Sequence, residues 1–393
     1  MMESRKHVIA LGAGLVGSAM IRDLLREQEF TVTAVDIDPR KLDRLGEHAG
    51  LEKRCGDIRE AGFLDQLWAV DGFILNAVPG HLGFGLLRQA VERGRALVDI
   101  CFAPEDPLSL QELALKTGSR AIVDMGVAPG MSNLLSGCAA REMDEMHSLR
   151  ILVGGLPRER VKPFEYKAGF SPVDVIEEYT RPARFVEGGR LVTREALSGV
   201  ERVDIAGLGS LEAFNSDGLR TLLSTIEAPD MIEKTLRYPG HAEMMRLFRD
   251  TGLFDEKPLR LGDTPVVPRE LTSALLFRHW EMREGDEDLT VMRVMAEGRK
   301  DHRRVIFAAA LFDEYDRELG VHSMARTTGY AATSALRLLA SGRLGLKGII
   351  PPEALGRKAE YSTFMLEDQQ RRGIAYHITL EREEDWSSGE CGG

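Results

Sequence analysis

The sequence predicts an α/β protein: a Rossmann-type, doubly wound parallel sheet with a second α/β domain that carries a largely antiparallel sheet. Three observations lead there. A glycine-rich turn lies between two short apolar runs near the start of the chain. Up to Asp124, six apolar strand-like segments alternate with amphipathic helical ones, the pattern of successive parallel crossovers. From Ser148 onward polar and apolar residues alternate within the strand-like segments, as in a sheet with one solvated face.

The stretch His7–Asp36 reads HVIALGAGLVGSAMIRDLLREQEFTVTAVD. Val8–Leu11 suits a strand buried on both faces. Gly12, Gly14 and Gly17 follow in the spacing G-x-G-x-x-G, with Leu15 and Val16 between the last two. Gly12 makes the tight turn, Gly14 lets backbone approach a pyrophosphate, and Gly17 lets the next helix pack close. That helix places Ala19, Met20, Leu24 and Leu25 on one face and Arg22, Asp23 and Arg26 on the other. Its N-terminus offers unpaired N–H groups to phosphate. Asp36, ending the second apolar run, suits the two ribose hydroxyls of NAD, and a 2′-phosphate would meet its charge. Arg40 and Lys41 are near enough to keep NADP open. A glycine turn in a nucleotide-free α/β protein is the plainer alternative, and no second flavin-type signature is present.

The 393 residues are 43% hydrophobic and 29% charged, enough for two cored domains. A net charge of -11 argues against nucleic acid and anionic membranes as partners. No apolar run approaches the roughly 20 residues that span a bilayer, and MMESRK lacks a signal-peptide core. A cytoplasmic location is the default expectation. Cys55, Cys101, Cys138 and Cys391 form no C-x-x-C pair, so reduced thiols are expected and no metal site is. Residues 386–393 are expected to be a disordered tail.

In chain order, Arg40–Leu45 reads as a crossover helix and Leu51–Cys55 as a strand. Asp57 then either meets the adenine amino group or caps the next helix, Glu60–Trp68. Gly72–Asn76 is a buried strand whose loop, Asn76-Ala77-Val78-Pro79-Gly80-His81, should lie along the nicotinamide half of a cofactor, since ligands bind at the strands' C-terminal ends. His81 is read as a loop residue. Helix Leu82–Arg93, strand Ala96–Ile100, helix Leu108–Thr117 and strand Arg120–Asp124 follow, delivering Asp99, Cys101 and Asp124 to the same edge. Asn76, His81, Asp99, Asp124 and Asn133 are therefore a candidate acid/base set, turns and caps being the competing reading for the aspartates. Helix Ser132–Arg141 leads into a second domain with expected strands at Ser148–Val153, Phe164–Ser171, Ala183–Glu187, Gly189–Val192, Arg202–Ile205, Leu211–Phe214, Asp288–Glu297 and Arg303–Asp313. Helices Gly240–Asp250 and Pro268–Trp280 should cover them. The domains are set at 1–132 completed by 323–385, and 133–322. Helix Ala331–Ala340 is expected to return to the first domain.

The chain resembles the saccharopine dehydrogenase family, most closely its lysine 6-dehydrogenase branch. The resemblance rests on GAGLVG, DMGVAPGMSNLLSG (Asp124–Gly137), VGGLP (Val153–Pro157), PFEYKAGFSP (Pro163–Pro172), LGSLEAF (Leu208–Phe214), TLRYPGHAE (Thr235–Glu243), ARTTGYAATSALRLL (Ala325–Leu339) and KGIIPPE (Lys347–Glu353), in order through nearly the whole chain. The segment Asn215–Thr221 departs from the lysine dehydrogenases. The resemblance implies an NAD(P)-dependent enzyme acting on a C–N bond of an amino acid, with a substrate and dimerisation domain inserted into the nucleotide-binding one, and a homodimer. Oxidative deamination of L-lysine or a similar amine is the first expectation. A saccharopine-type reductase joining an amine to an aldehyde, and a non-catalytic NAD-binding sensor, are the alternatives. Such an amine oxidation needs a proton acceptor, water activation and a cationic carboxylate anchor. Asp124 is the first candidate for the amine, Asp99 the second. Glu165, Tyr166 and Lys167 are expected to reach over the cleft. Arg220, Arg237 and His241 are candidates for the carboxylate and for water, with Arg326 a further arginine.

Overall fold

The computed structural model describes residues 5–169, 172–283 and 285–383. The strands, in chain order, begin with β1 (Lys6–Leu11), β2 (Phe30–Asp36), β3 (Leu51–Cys55), β4 (Phe73–Asn76), β5 (Ala96–Asp99) and β6 (Arg120–Ile122). The middle of the chain supplies β7 (Glu145–Pro157), β8 (Ala183–Glu187), β9 (Arg190–Arg194), β10 (Glu201–Ile205), β11 (Gly209–Asn215) and β12 (Asp230–Arg237). A separate hairpin, β13 (Leu259–Leu261) and β14 (Thr264–Val266), precedes β15 (Asp288–Lys300), β16 (Arg303–Glu314), β17 (Gly348–Ile350) and β18 (Tyr376–Arg382).

The first sheet has seven strands in the order β17-β6-β5-β4-β1-β2-β3, all parallel. Strand order reverses between β1 and β4, which opens a crevice at their C-terminal ends. β1 shows why an unbroken apolar run was needed. Val8 and Ala10 enter a core shared with helices Leu15–Arg26 and Ser323–Ala340, whereas Ile9 and Leu11 enter the core on the opposite face with Leu64, Leu86 and Leu110. β17 extends the expected six strands to seven, delivered by the C-terminal segment that returns to this domain.

The second sheet has nine strands, β10-β11-β12-β7-β15-β16-β18 with β8 and β9 attached to β12. Every pair is antiparallel except β12 with β7, so the sheet is mixed. The C-terminal strand β18 pairs with β16, so residues 376–382 join this sheet instead of completing the nucleotide-binding domain, which corrects the 323–385 boundary. Phe164–Gly169 forms no strand, because Glu165 takes a left-handed φ of 46° that extended pairing does not allow. The helix expected at Ala331–Ala340 begins at Ser323. Residues 386–393, expected as a tail, and Cys391 lie outside the described residues. Among the described residues no helix is long and apolar enough to cross a membrane.

Candidate active site

A cavity of about 1050 Å³ runs from the strand-order reversal of the first sheet to the face of the second domain. At its nucleotide end the backbone is shaped by glycine. Gly12 has φ +98°, and a Cβ there would lie 2.6 Å from the Ala77 carbonyl oxygen. A Cβ on Gly17 would overlap the Gly12 carbonyl. Gly14 lines the cavity and has nothing within 4 Å of where its Cβ would stand. Bare backbone at the start of helix Leu15–Arg26 therefore faces open space, as a pyrophosphate requires. Leu15 and Val16 line the same wall. Asp36 is held in place: Oδ2 accepts from the Ala13 N–H at 2.8 Å and Oδ1 from the Asp38 N–H at 2.9 Å, with Lys41 Nζ at 3.5 Å. Asp57 lines the cavity too, paired with Arg59 at 2.6 Å. The next helix runs Ala61–Trp68 with Glu60 at its N-cap, so Asp57 is not its cap. Ala77 and Pro79 continue the wall. Asn76 is turned inward, 1% exposed, donating to the Gly83 carbonyl at 3.4 Å.

At the far end the second domain presents Glu178, Thr235, Arg237, Arg278 and Glu281. Arg237 is 3% exposed; Nη2 donates to Glu178 at 2.6 Å and Nη1 to the Leu236 carbonyl at 2.9 Å, while Nε is buried with no hydrogen-bond partner among the described residues. Its guanidinium carbon lies 4.7 Å from the centre of the Tyr166 ring, so Tyr166 meets the site through Arg237. Burial pushes the Glu178 carboxyl up, against the pull of Arg237. Asp174 crosses between domains, accepting from the Gly80 N–H at 3.2 Å. The Cys101 thiol faces the cavity, donates to the Val78 carbonyl at 3.1 Å and is raised well above the usual thiol range by burial.

His81 also lines the cavity; the remaining expected residues lie off it. Asp124 forms a two-point pair with Arg220, Oδ2 to Nε at 3.2 Å and Oδ1 to Nη2 at 3.1 Å, the side chains 2% and 3% exposed. Arg220 also donates to the Ala103 carbonyl at 2.6 Å. Asp124 is thus occupied, and the pair ties the two domains together. Asp99 accepts from the Cys101 N–H at 2.8 Å, and burial pushes its carboxyl up to about 7. His241 is packed against Tyr166 and Tyr179, with Nε2 at 2.9 Å from the Tyr179 hydroxyl; burial, with the Arg237 charge, pushes it down to about 3, which makes it neutral. Lys167 is turned to Asp286 at 3.0 Å, Glu165 to Arg160 at 2.7 Å, and Arg326 to Asp316 at 2.8 Å. Sequence reading did not single out Glu178, Asp174 or Thr235. The i, i+2 spacing of Glu233, Thr235 and Arg237 in DMIEKTLR was the available signal. Among the described residues no cluster of His, Cys, Asp and Glu could hold a metal.

Residues 8–123 match the family described as Saccharopine dehydrogenase NADP binding domain, and residues 126–374 match Saccharopine dehydrogenase C-terminal domain. Saccharopine dehydrogenase [NADP(+), L-glutamate-forming] of Schizosaccharomyces pombe is 23% identical over 297 residues, 71% of this chain and 65% of its own. Alpha-aminoadipic semialdehyde synthase, mitochondrial, of Bos taurus is 21% identical, covering 89% of this chain and 46% of its own. The chain thus spans less than two thirds of the length of these curated relatives. Apo saccharopine dehydrogenase (L-Glu forming) from Saccharomyces cerevisiae has the same fold, with a TM-score of 0.76 at 18% identity over 96% of this chain and 100% of that one.

Proposed function

The chain belongs to the saccharopine dehydrogenase family, and from that premise we propose that it is an NAD(P)-dependent oxidoreductase acting on a C–N bond of an amino acid. One observation carries the reading. A glycine-shaped nucleotide wall and the buried Arg237 guanidinium, paired with Glu178, share one cavity.

The nucleotide wall fits the coenzyme, since side chains at Gly12 and Gly17 would collide with backbone and the space over Gly14 is open. The backbone of Gly12, Gly14 and Gly17 would hold the pyrophosphate, Asp36 the adenosine ribose, and Ala77 and Pro79 would flank the nicotinamide half. When bound, the coenzyme exchanges a hydride with the substrate carbon. Arg237, which lines the cavity, supplies the positive charge for the substrate carboxylate, and Tyr166 beneath it and Glu178 beside it fix the guanidinium plane. The Asp124–Arg220 pair keeps the loop at Ala103 against the second domain. That contact backs the cavity wall at Phe102, whose ring centre lies 5.4 Å from the Arg220 guanidinium carbon.

The finer proposal is oxidative deamination of L-lysine or a similar amine, with NAD preferred because Asp36 is fixed where a 2′-phosphate would meet it. Charge supports the substrate. The far end of the cavity carries Asp174, Glu178 and Glu281 against Arg237 and Arg278, a balance for one carboxylate and an ammonium rather than for a tricarboxylate such as saccharopine. Self-association as a homodimer is proposed through the outer part of the second sheet, where β18 is exposed from His377 to Arg382 and Phe312 is exposed beside it. Reduced-nicotinamide absorbance with NAD or NADP, lysine and saccharopine tests the reading; lysine-dependent reduction with ammonia release is expected, and turnover of saccharopine alone would replace the finer proposal.

A further inference from the structure

β12 turns Glu233, Thr235 and Arg237 to one side, as the period of two in a strand requires. Arg237 and Thr235 line the cavity; Glu233 lies behind them, 4% exposed. The three are not isolated. Thr235 Oγ1 is 2.7 Å from Ser216 Oγ, and Ser216 Oγ donates to Glu233 Oε2 at 2.7 Å. The Gly218 N–H donates to the same Oε2 at 3.1 Å, and a Cβ on Gly218 would overlap the Glu233 carboxyl. An unbroken hydrogen-bonded chain therefore leads from the cavity wall to a carboxyl out of reach of solvent.

We propose that Thr235, Ser216 and Glu233 form a proton relay that moves protons between the reacting amine in the cavity and the buried Glu233 carboxyl. The inference rests on the C–N oxidoreductase reading. With Glu233 ionised, Ser216 donates to it and Thr235 donates to Ser216. A lone pair of the Thr235 oxygen is then left for the cavity. An ammonium N–H breaks as its proton reaches Thr235; the Thr235 proton passes to Ser216 and the Ser216 proton to Glu233. One N–H is lost, one O–H is gained at Glu233, and the nitrogen keeps its electron pair. The reverse sequence reprotonates the nitrogen. Burial pushes Glu233 up to about 7, and the charged groups facing it are Glu178 and Asp217, the latter held by Arg184 at 2.8 Å. Both protonation states are then accessible near neutral pH.

The test compares the pH profile of kcat/KM for wild type, Glu233→Gln, Thr235→Val and Thr235→Ser, with Tm and coenzyme affinity as checks on folding. The wild type is expected to lose activity as pH falls through about 7. Glu233→Gln, which can still accept from Ser216, should lose that limb and about 100-fold in kcat, the scale of a lost proton-transfer group, with coenzyme affinity within about 2-fold of wild type. Thr235→Val should behave alike, and Thr235→Ser should restore the profile. A limb retained in Glu233→Gln, or full turnover in Thr235→Val, would overturn the relay. The infrared carboxyl band lost in Glu233→Gln supplies a reading that needs no turnover. Its titration should shift in Thr235→Val, and an unmoved titration overturns the relay even if no amine is oxidised. A wild type inactive toward every amine refutes only the parent reading.

Discussion

Replacing one member of the Asp124–Arg220 pair should loosen the whole cavity wall. The pair is two-point, at 3.1 and 3.2 Å, with both side chains at or below 3% exposure. Two unit charges about 3 Å apart at an effective dielectric constant of about 20 attract by about 5 kcal/mol. The cost of desolvating both is of the same order, so the intact pair adds little net stability. Removing one partner is different, because the other charge stays buried. Asp124→Leu or Arg220→Leu should each cost about 3–5 kcal/mol. The double variant should cost less than the sum by about 2 kcal/mol or more, a coupling typical of groups in direct contact. The assay is urea unfolding followed by tryptophan fluorescence, where Trp68 reports the first domain and Trp280 the second. Single variants within about 1 kcal/mol of wild type, or effects additive within about 0.5 kcal/mol, would refute the latch. So would an Asp124→Asn protein of full stability with no turnover, since that outcome assigns the carboxylate to chemistry.

Gly17→Ala drives a methyl into the Gly12 carbonyl, so coenzyme Kd measured by fluorescence quenching should rise about 10-fold or more while Tm falls; an unchanged Kd would detach this loop from the nucleotide. Asp36→Ser should raise the Kd of NAD more than that of NADP, and equal effects would remove Asp36 from the adenosine ribose. Asp99 holds its proton up to about 7 in the fold and to about 3.9 when unfolded. The folded state thus binds more protons in that window, and stability falls as pH rises through it. Asp99→Asn should flatten that decline in urea titrations; an unchanged slope would show that the carboxyl ionises freely. His241 acts in the opposite sense, because its folded value of about 3 lies below the unfolded one. It contributes full stability above about pH 6.5, lost as pH falls toward about 3. His241→Phe should shrink the acid-side loss.

The nucleotide-binding half was legible because its constraints are local. A buried parallel strand must be apolar throughout, and a turn that touches pyrophosphate must lack side chains, so Val8–Leu11, Gly12, Gly14 and Gly17 announce their roles within a few residues. The antiparallel hairpin of β15 and β16 was legible from alternation alone. The far wall of the cavity was not. Its residues come from β7 and β12, joined by one parallel pairing over long sequence separation, and from the helices Pro172–Thr180 and Pro268–Trp280 with the residues just after it. Asp124 looked like a free acid at a sheet edge and Arg220, 96 residues away, like a carboxylate anchor; their pairing is visible only in three dimensions. Glu178 was hidden for the same reason, and β18 was placed in the first domain because nothing in its sequence names its partner β16.

The most direct measurement is reduced-nicotinamide absorbance with the intact chain, NAD and L-lysine at mildly alkaline pH, with NADP and saccharopine run alongside and ammonia assayed in parallel. A lysine-dependent signal with stoichiometric ammonia, stronger with NAD, is the predicted result. Silence with every amine while the coenzyme still binds would contradict the account.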